Sequence, residues 1–182
     1  LARIVLLPDA ASEPATQNWS DFLAAGTGVS DAVLRQRTDR VAPGDLSDLL
    51  FTSGTTGAPK GVMTTHAQNL RTFATWSDGV GLRADDRYLV VNPFFHSFGY
   101  KAGWLACLLR GATVLPHAVF DVPAVFARIA RERISVLPGP PTLYQSILAH
   151  PDRADADLSS LRLAVTGAAA IPVELIHRMR DE

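Results

Sequence analysis

"LLFTSGTTGAPKGVMTTH", residues 49–66, decides how the rest of the chain is read. Thr52, Ser53, Thr55 and Thr56 stand around Gly54 and Gly57, and Pro59 and Lys60 close the run. Small hydroxyl residues among glycines give a backbone rich in free donors, and the lysine adds a positive charge, a combination suited to a polyphosphate. The flanking "DLLFT" and "GVMTT" both read as strands. A Walker A loop requires glycine immediately before its lysine and Ser or Thr immediately after it. Here Pro59 precedes Lys60 and Gly61 follows. No G-x-G-x-x-G is present, which removes the dinucleotide fingerprint. With a strand after Lys60, no helix dipole is available to an anion, so donors must come from backbone amides, hydroxyls and the lysine. Taken as composition alone, the run also fits a plain surface turn.

Outward from this loop the pattern is strand and helix in alternation. "AQNLRTFATW" follows as a helix, then strand "RYLVVN", then an apolar helix ending at Arg110 with Gly111 as its stop. "ATVLP", "ISVLP" and "LRLAVT" are further strands, separated by "VPAVFARIARER", capped by Asp121, and "TLYQSILAH"; Pro172 suits the first turn of "PVELIHRMRDE". Strands recurring near residues 89, 113, 135 and 163 as continuous apolar runs predict a wound α/β fold, a mostly parallel sheet with flanking helices. Its functional loops belong at the carboxyl ends of the strands, where "NPFFHSFGY", "PHAVFD", "PGPPT" and "TGAAAIP" stand. Residues 1–47 are expected to be a buried strand, "ARIVLL", and a connecting arm. The arm carries two short helices, "WSDFLAAG" and "SDAVLRQRTDR", the second capped by Ser30 and facing solvent with Arg35, Arg37 and Arg40. Residues 48–182 form the phosphate loop and the wound subdomain.

With 17 Lys and Arg against 18 Asp and Glu, the chain lacks the basic excess that nucleic-acid binding needs. Its apolar runs, "GWLACLLRG" among them, are too short to span a bilayer. "LARIVLLPDA" has no basic start and no cleavage site, so no leader is expected. Cys107, the single cysteine, excludes an internal disulfide, fits a reducing cytoplasmic setting and reads as an inert core thiol.

As an eleven-residue string, "FTSGTTGAPKG", Phe51 to Gly61, closely resembles the signature phosphate loop of the AMP-forming adenylating enzyme superfamily. "NPFFHSFG", Asn92 to Gly99, resembles that family's second core motif, which lies against the acid substrate. "TGAAAIP", Thr166 to Pro172, resembles the loop lining the adenine and acyl pocket, although Ala170 and Ile171 depart from the usual proline and leucine. The resemblance implies the large N-terminal domain of an adenylate-forming enzyme, and within the superfamily an acyl-CoA synthetase of the fatty-acid or steroid-fragment type. A carboxylic acid, ATP and coenzyme A would be its small-molecule partners, Mg2+ its cofactor, and a homodimer one assembly it allows.

By that resemblance Lys60 and His96 act in catalysis, and Thr52 is the magnesium ligand beside a glutamate of a later motif. Thr52, Ser53, Gly54, Thr55, Thr56, Gly57 and Lys60 bind the nucleotide phosphates, while Gly167, Ala168 and Ala169 admit the adenine ring. Phe95, His96, Gly99 and Gly167 lie along the acid. Amino-acid-activating members place an aspartate where this chain has His96, so an acid without an α-amino group is expected. Phe94, Phe95, Phe98 and Tyr100 are either core beneath the loop or walls of the acyl pocket. His66, His117, His150 and His177 read as structural or exposed. The same resemblance implies an internal fragment with little ligase activity alone, since the family's ribose aspartate, hinge and mobile C-terminal domain would lie further on. Two alternatives stay open: an adenylating enzyme with an aryl acid or another acceptor, and a noncatalytic nucleotide-binding module.

Overall fold

A computed structural model of the chain describes residues 4–8, 10, 13–52, 57–167 and 169–181. It divides into two compact units, Leu1–Asp45 and Leu46–Glu182. In the first, β1 (Val5–Leu6) pairs in parallel with β2 (Gln17–Asn18), which leads into α1 (Trp19–Gly26) and α2 (Asp31–Thr38). Only two residues of "ARIVLL" form a strand among the described residues, and they are half-buried, not core, because the strand that pairs with them is itself two residues long. Asn18 caps α1 through the Asp21 amide at 2.8 Å, and Ser30 caps α2 through the Val33 amide at 3.4 Å. Arg35, Arg37 and Arg40 are exposed.

The second unit opens with an antiparallel hairpin, β3 (Leu46–Thr52) and β4 (Lys60–Thr65). Thr65 starts α3 (His66–Val80) with a reciprocal cap, its hydroxyl on the Gln68 amide and the Gln68 side chain on its own amide. Then come β5 (Arg87–Val90), a short turn α4 (Ser97–Gly99), a π-helical segment Tyr100–Leu105, α5 (Ala106–Arg110), β6 (Thr113–Pro116), α6 (Val122–Glu132), β7 (Val136–Gly139), α7 (Pro141–Leu148), β8 (Leu163–Thr166) and α8 (Val173–Asp181). Strands β5 to β8 form one parallel sheet in the order β6-β5-β7-β8, which is the expected wound α/β layer. Pro172 sits one residue before α8 and gives its carbonyl to the Leu175 amide.

Alternation along the central strands divides the core. Leu89 and Leu137 pack with Val125, Phe126, Ile129 and Ile147 from α6 and α7. Tyr88, Val90 and Val136 pack on the other face with Ala106 and Cys107. Each fully buried aliphatic side chain contributes roughly 1.5–3 kcal/mol relative to exposure, so the two middle strands hold most of the sheet's stability. Tyr144 ties β7 to β8, its hydroxyl lying against the carbonyls of Leu137 and Val165. At the amino end of the sheet, Asp86, 2% exposed, accepts from Arg162 Nε at 2.8 Å and Ser135 Oγ at 2.7 Å. Because all four strands run the same way, the loops after β5, β6, β7 and β8 emerge at one end. Among the described residues no helix is long and apolar enough to cross a membrane.

Candidate active site between the glycine-loop hairpin and the His96 turn

The hairpin presents the glycine loop at its tip. Thr52 and Lys60 form its last cross-strand pair, with the Thr52 hydroxyl 3.5 Å from the Lys60 carbonyl. Both are exposed. Gly57 has a φ of +92°, a left-handed conformation that a side chain would strain. Ser53, Gly54, Thr55 and Thr56 lie outside the described residues, as does Ala168.

His96 follows β5 and caps the turn Ser97–Gly99, its Nδ1 accepting the Phe98 amide at 3.2 Å. In the neutral ring the proton then resides on Nε2, leaving an N–H donor on the far side of the imidazole. Gly99, behind this turn, is buried so closely that a Cβ would stand 2.2 Å from the Pro93 carbonyl and 2.4 Å from that of Asn92. Its small size lets the loop fold back over the helix start. Phe94 and Phe95 are not core: they are 46% and 82% exposed. Tyr100 stacks on Trp104 at 4.6 Å.

Hairpin and turn meet at a cleft of about 370 Å³, lined by Leu50, Phe51, Thr52 and Val62 on one side and Phe95, His96, Ser97 and Lys101 on the other. Thr52, Phe95 and His96 are thus brought together, with Lys60 across the hairpin from Thr52. Gly167 and Ala169 follow β8, which is separated from β5 by β7, and they do not line this cleft. Of the remaining histidines, His117 Nδ1 lies 3.2 Å from Arg128, and His150 Nδ1 accepts the Asp152 amide. Burial and the Arg128 charge hold His117 below its ordinary range.

Sequence reasoning passed over Asp48 and Lys101. Lys101 is 5% exposed, and its Nζ lies 3.0 Å from Asp48 Oδ1. Burial pushes the Asp48 carboxyl up, but hydrogen bonds from Lys101, Thr64 and Asn69, with the Lys101 charge, outweigh it and hold the group below its ordinary range. The signal was a lysine inside the apolar run "YKAGWLACLL" and an aspartate at an inward position of a strand.

Comparison with known proteins agrees with this geometry. Residues 3–182 match the family model described as AMP-binding enzyme. A 3-[(3aS,4S,7aS)-7a-methyl-1,5-dioxo-octahydro-1H-inden-4-yl]propanoyl:CoA ligase of Mycobacterium tuberculosis is 58% identical over 90% of this chain and 32% of its own length. Its namesake from Rhodococcus jostii is 54% identical over 93% of this chain and 33% of its own length. The crystal structure of the anthranilate CoA ligase AuaEII in complex with anthranoyl-AMP superimposes with a TM-score of 0.82 at 29% identity, covering 100% of this chain and 34% of that one. The chain therefore spans about a third of the length of the curated relatives it matches. With the glycine-loop hairpin, the wound parallel sheet and a family match along nearly all of its residues, the chain belongs to the AMP-binding enzymes, the adenylate-forming family that includes the acyl-CoA ligases.

Proposed function

We propose that the intact protein is an AMP-forming acid–thiol ligase. A carboxylate oxygen attacks the α-phosphorus of ATP, pyrophosphate leaves, and the acyl adenylate then passes its acyl group to the thiol of coenzyme A, releasing AMP. The observation that carries this reading is the shared cleft, in which the Thr52 end of the glycine-loop hairpin and the His96 ring line the same space.

Negative charge builds on the phosphate oxygens as the bond to pyrophosphate stretches, so donors aimed there stabilise the transition state more than the ground state. Lys60, at the end of the loop, supplies a compact positive charge, and Gly57 supplies the left-handed turn the loop needs. His96 Nε2–H is the donor for a carboxylate oxygen of the acid. Bound Mg2+ would neutralise charge on the phosphates. The Thr52 hydroxyl, its proton turned towards the Lys60 carbonyl, keeps lone pairs free, and one such oxygen with phosphate oxygens and water suits this cation. The adenine ring is assigned to the loop holding Gly167, Ala168 and Ala169.

For the acid, we infer a ring-bearing propanoate of the steroid-fragment class. Two relatives above half identity are named for such an acid, and His96 offers no carboxylate to an α-ammonium group. Residues 1–182 alone are expected to have little turnover. A cytoplasmic location and a homodimer complete the reading, the former in keeping with the free, buried Cys107. The test is acid-dependent exchange of labelled pyrophosphate into ATP by the intact reading frame with alicyclic, fatty and aryl acids. Exchange greatest with the bicyclic propanoate is expected. ATP binding without exchange for any acid would make the protein a noncatalytic nucleotide-binding module.

A further inference from the structure

Lys101 lies in an apolar helical segment, yet its ammonium is buried. A buried charge costs several kcal/mol unless paired and hydrogen-bonded. Here the pairing is extensive. Lys101 Nζ donates to Asp48 Oδ1 at 3.0 Å and to Thr64 Oγ1 at 2.9 Å, and the Thr64 hydroxyl donates in turn to Asp48 Oδ1 at 2.9 Å. Asn69 Nδ2, on α3, donates to Asp48 Oδ2, and the Tyr100 hydroxyl lies 3.4 Å from the same oxygen. One carboxylate thus joins β3, β4, α3 and the helical segment that His96 begins.

The placement of this network relates it to the chemistry. Asp48 pairs with Thr64 across the hairpin, and Thr52 pairs with Lys60. Side chains four residues apart on a strand share a face, so the braced pair and the pair that closes the glycine loop project from the same face, about 13 Å apart along the strand. On the opposite wall Ser97 and Lys101, also four apart, both line the cleft beside His96. The Tyr88 hydroxyl holds the Ala102 carbonyl at 2.6 Å, and Gly103 leaves helical geometry at φ −93°, ψ −106°, so the π turn that carries Lys101 is itself pinned to β5. An apolar pair of similar volume would hold the elements together as well or better. What an ion pair adds is a fixed distance and register.

We propose that Lys101 and Asp48 are positioning residues for the adenylation step, setting the separation between the phosphate hairpin and His96. This rests on the acid–thiol ligase reading above. A displacement of about 1 Å between reacting groups can cost 10²-fold in rate, so the loss falls on kcat. In the intact protein, Lys101→Met lowers the kcat of pyrophosphate exchange by roughly 30-fold or more, with KM for ATP and for the acid changed less than about threefold. The double variant Asp48→Asn with Lys101→Met removes the buried charge with its partner, while the new amide oxygen at position 48 accepts from Asn69 and its N–H donates to the Thr64 hydroxyl, which Lys101 no longer occupies. Its Tm returns to within about 3 °C of the unaltered protein, and its kcat stays at least about tenfold down.

The two variants separate positioning from simple stabilisation. If kcat recovers with Tm in the double variant, the network is structural only and the proposal fails. It fails equally if Lys101→Met leaves kcat within threefold, or if the loss appears in KM for ATP, which would make Lys101 a phosphate contact. Should Lys101→Met not fold, the double variant decides alone. Silence from the unaltered protein with every acid removes the ligase reading and this role with it, whereas an active parent with unaffected variants removes only the role.

Discussion

Thr52 and Lys60 face each other as the last pair of the β3–β4 hairpin, so the two ends of the glycine loop are tied together before any nucleotide arrives. The tie fixes the separation of the two strand ends from which the loop leaves and to which it returns. In the proposed adenylation, Lys60 is the member of the pair whose role rests on charge. In the intact protein Lys60→Ala should lower the kcat of pyrophosphate exchange about 10²-fold and change KM for the acid less than about threefold. A steady-state series in ATP and in acid measures both, and equal losses in the two would remove the phosphate role.

Gly57 and Gly99 are required for different reasons, and their alanine variants should differ accordingly. At Gly57 the backbone sits at φ +92° and no described residue lies within 4 Å of where a Cβ would stand, so Gly57→Ala costs roughly 1–2 kcal/mol through backbone strain. At Gly99 the added carbon would stand 2.2 Å from a carbonyl oxygen, and the loop over it must move. Gly99→Ala should cost about 3 kcal/mol or more and displace His96 with the loop. Urea unfolding of both variants compares the two costs, and a milder effect at Gly99 would contradict the packing described.

The wound sheet was legible because its two middle strands are buried on both faces and therefore read as unbroken apolar runs: "RYLVVN" and "ISVLP" became β5 and β7. Caps at Ser30 and Asp121 and the stop at Gly111 were equally local and equally readable. The π turn was not, since it depends on the Tyr88 hydroxyl reaching the Ala102 carbonyl, a contact between elements. Nor was the Asp48–Lys101 pair, whose partners are brought together only when hairpin and helix pack. Of the candidate site, the sequence reading named Thr52, Phe95 and His96, which line the cleft, and passed over Lys101, which lines it with them, and its partner Asp48.

The amino end of the sheet depends on one carboxylate. Burial pushes Asp86 up, but hydrogen bonds from Arg162, Ser135 and the Arg83 amide outweigh it and hold the group below its ordinary value of 3.8. A carboxyl depressed on folding binds fewer protons folded than unfolded, so its contribution is complete above 3.8 and is lost as pH falls through the lower folded value. Asp86→Asn should flatten the acid side of the stability curve. Arg162→Ala, which leaves the carboxylate buried without its main partner, should cost about 3 kcal/mol at neutral pH. Chemical unfolding at a series of pH values measures both, and an unchanged acid limb in Asp86→Asn would refute the assignment.

Cys107 offers a test of the core. Its side chain is fully buried beside Tyr88 and Val90, and burial with the nearby Asp86 charge pushes the thiol up to about 12. Thiolate, not thiol, reacts with alkylating agents. Native protein should therefore resist iodoacetamide at pH 8 and label fully in denaturant. Rapid labelling of the native form would mean that α5 opens from the sheet far more readily than its packing implies.

His96 caps a turn, and substitution can divide that structural role from the chemical role proposed for it. Its Nδ1 accepts the Phe98 amide, satisfying a donor at the helix start, while Nε2 is left for a ligand. Asparagine is a good capping residue and alanine a poor one, the difference being about 1 kcal/mol. His96→Asn should therefore keep the stability of the turn, and His96→Ala should lose it. Neither places a donor where Nε2–H stood, so both should slow adenylation by a similar factor, about 10²-fold in kcat. Thermal melts and pyrophosphate exchange on the same samples separate the two contributions. If His96→Asn keeps the rate as well as the stability, the ring serves only as a cap and the acid is bound elsewhere in the cleft.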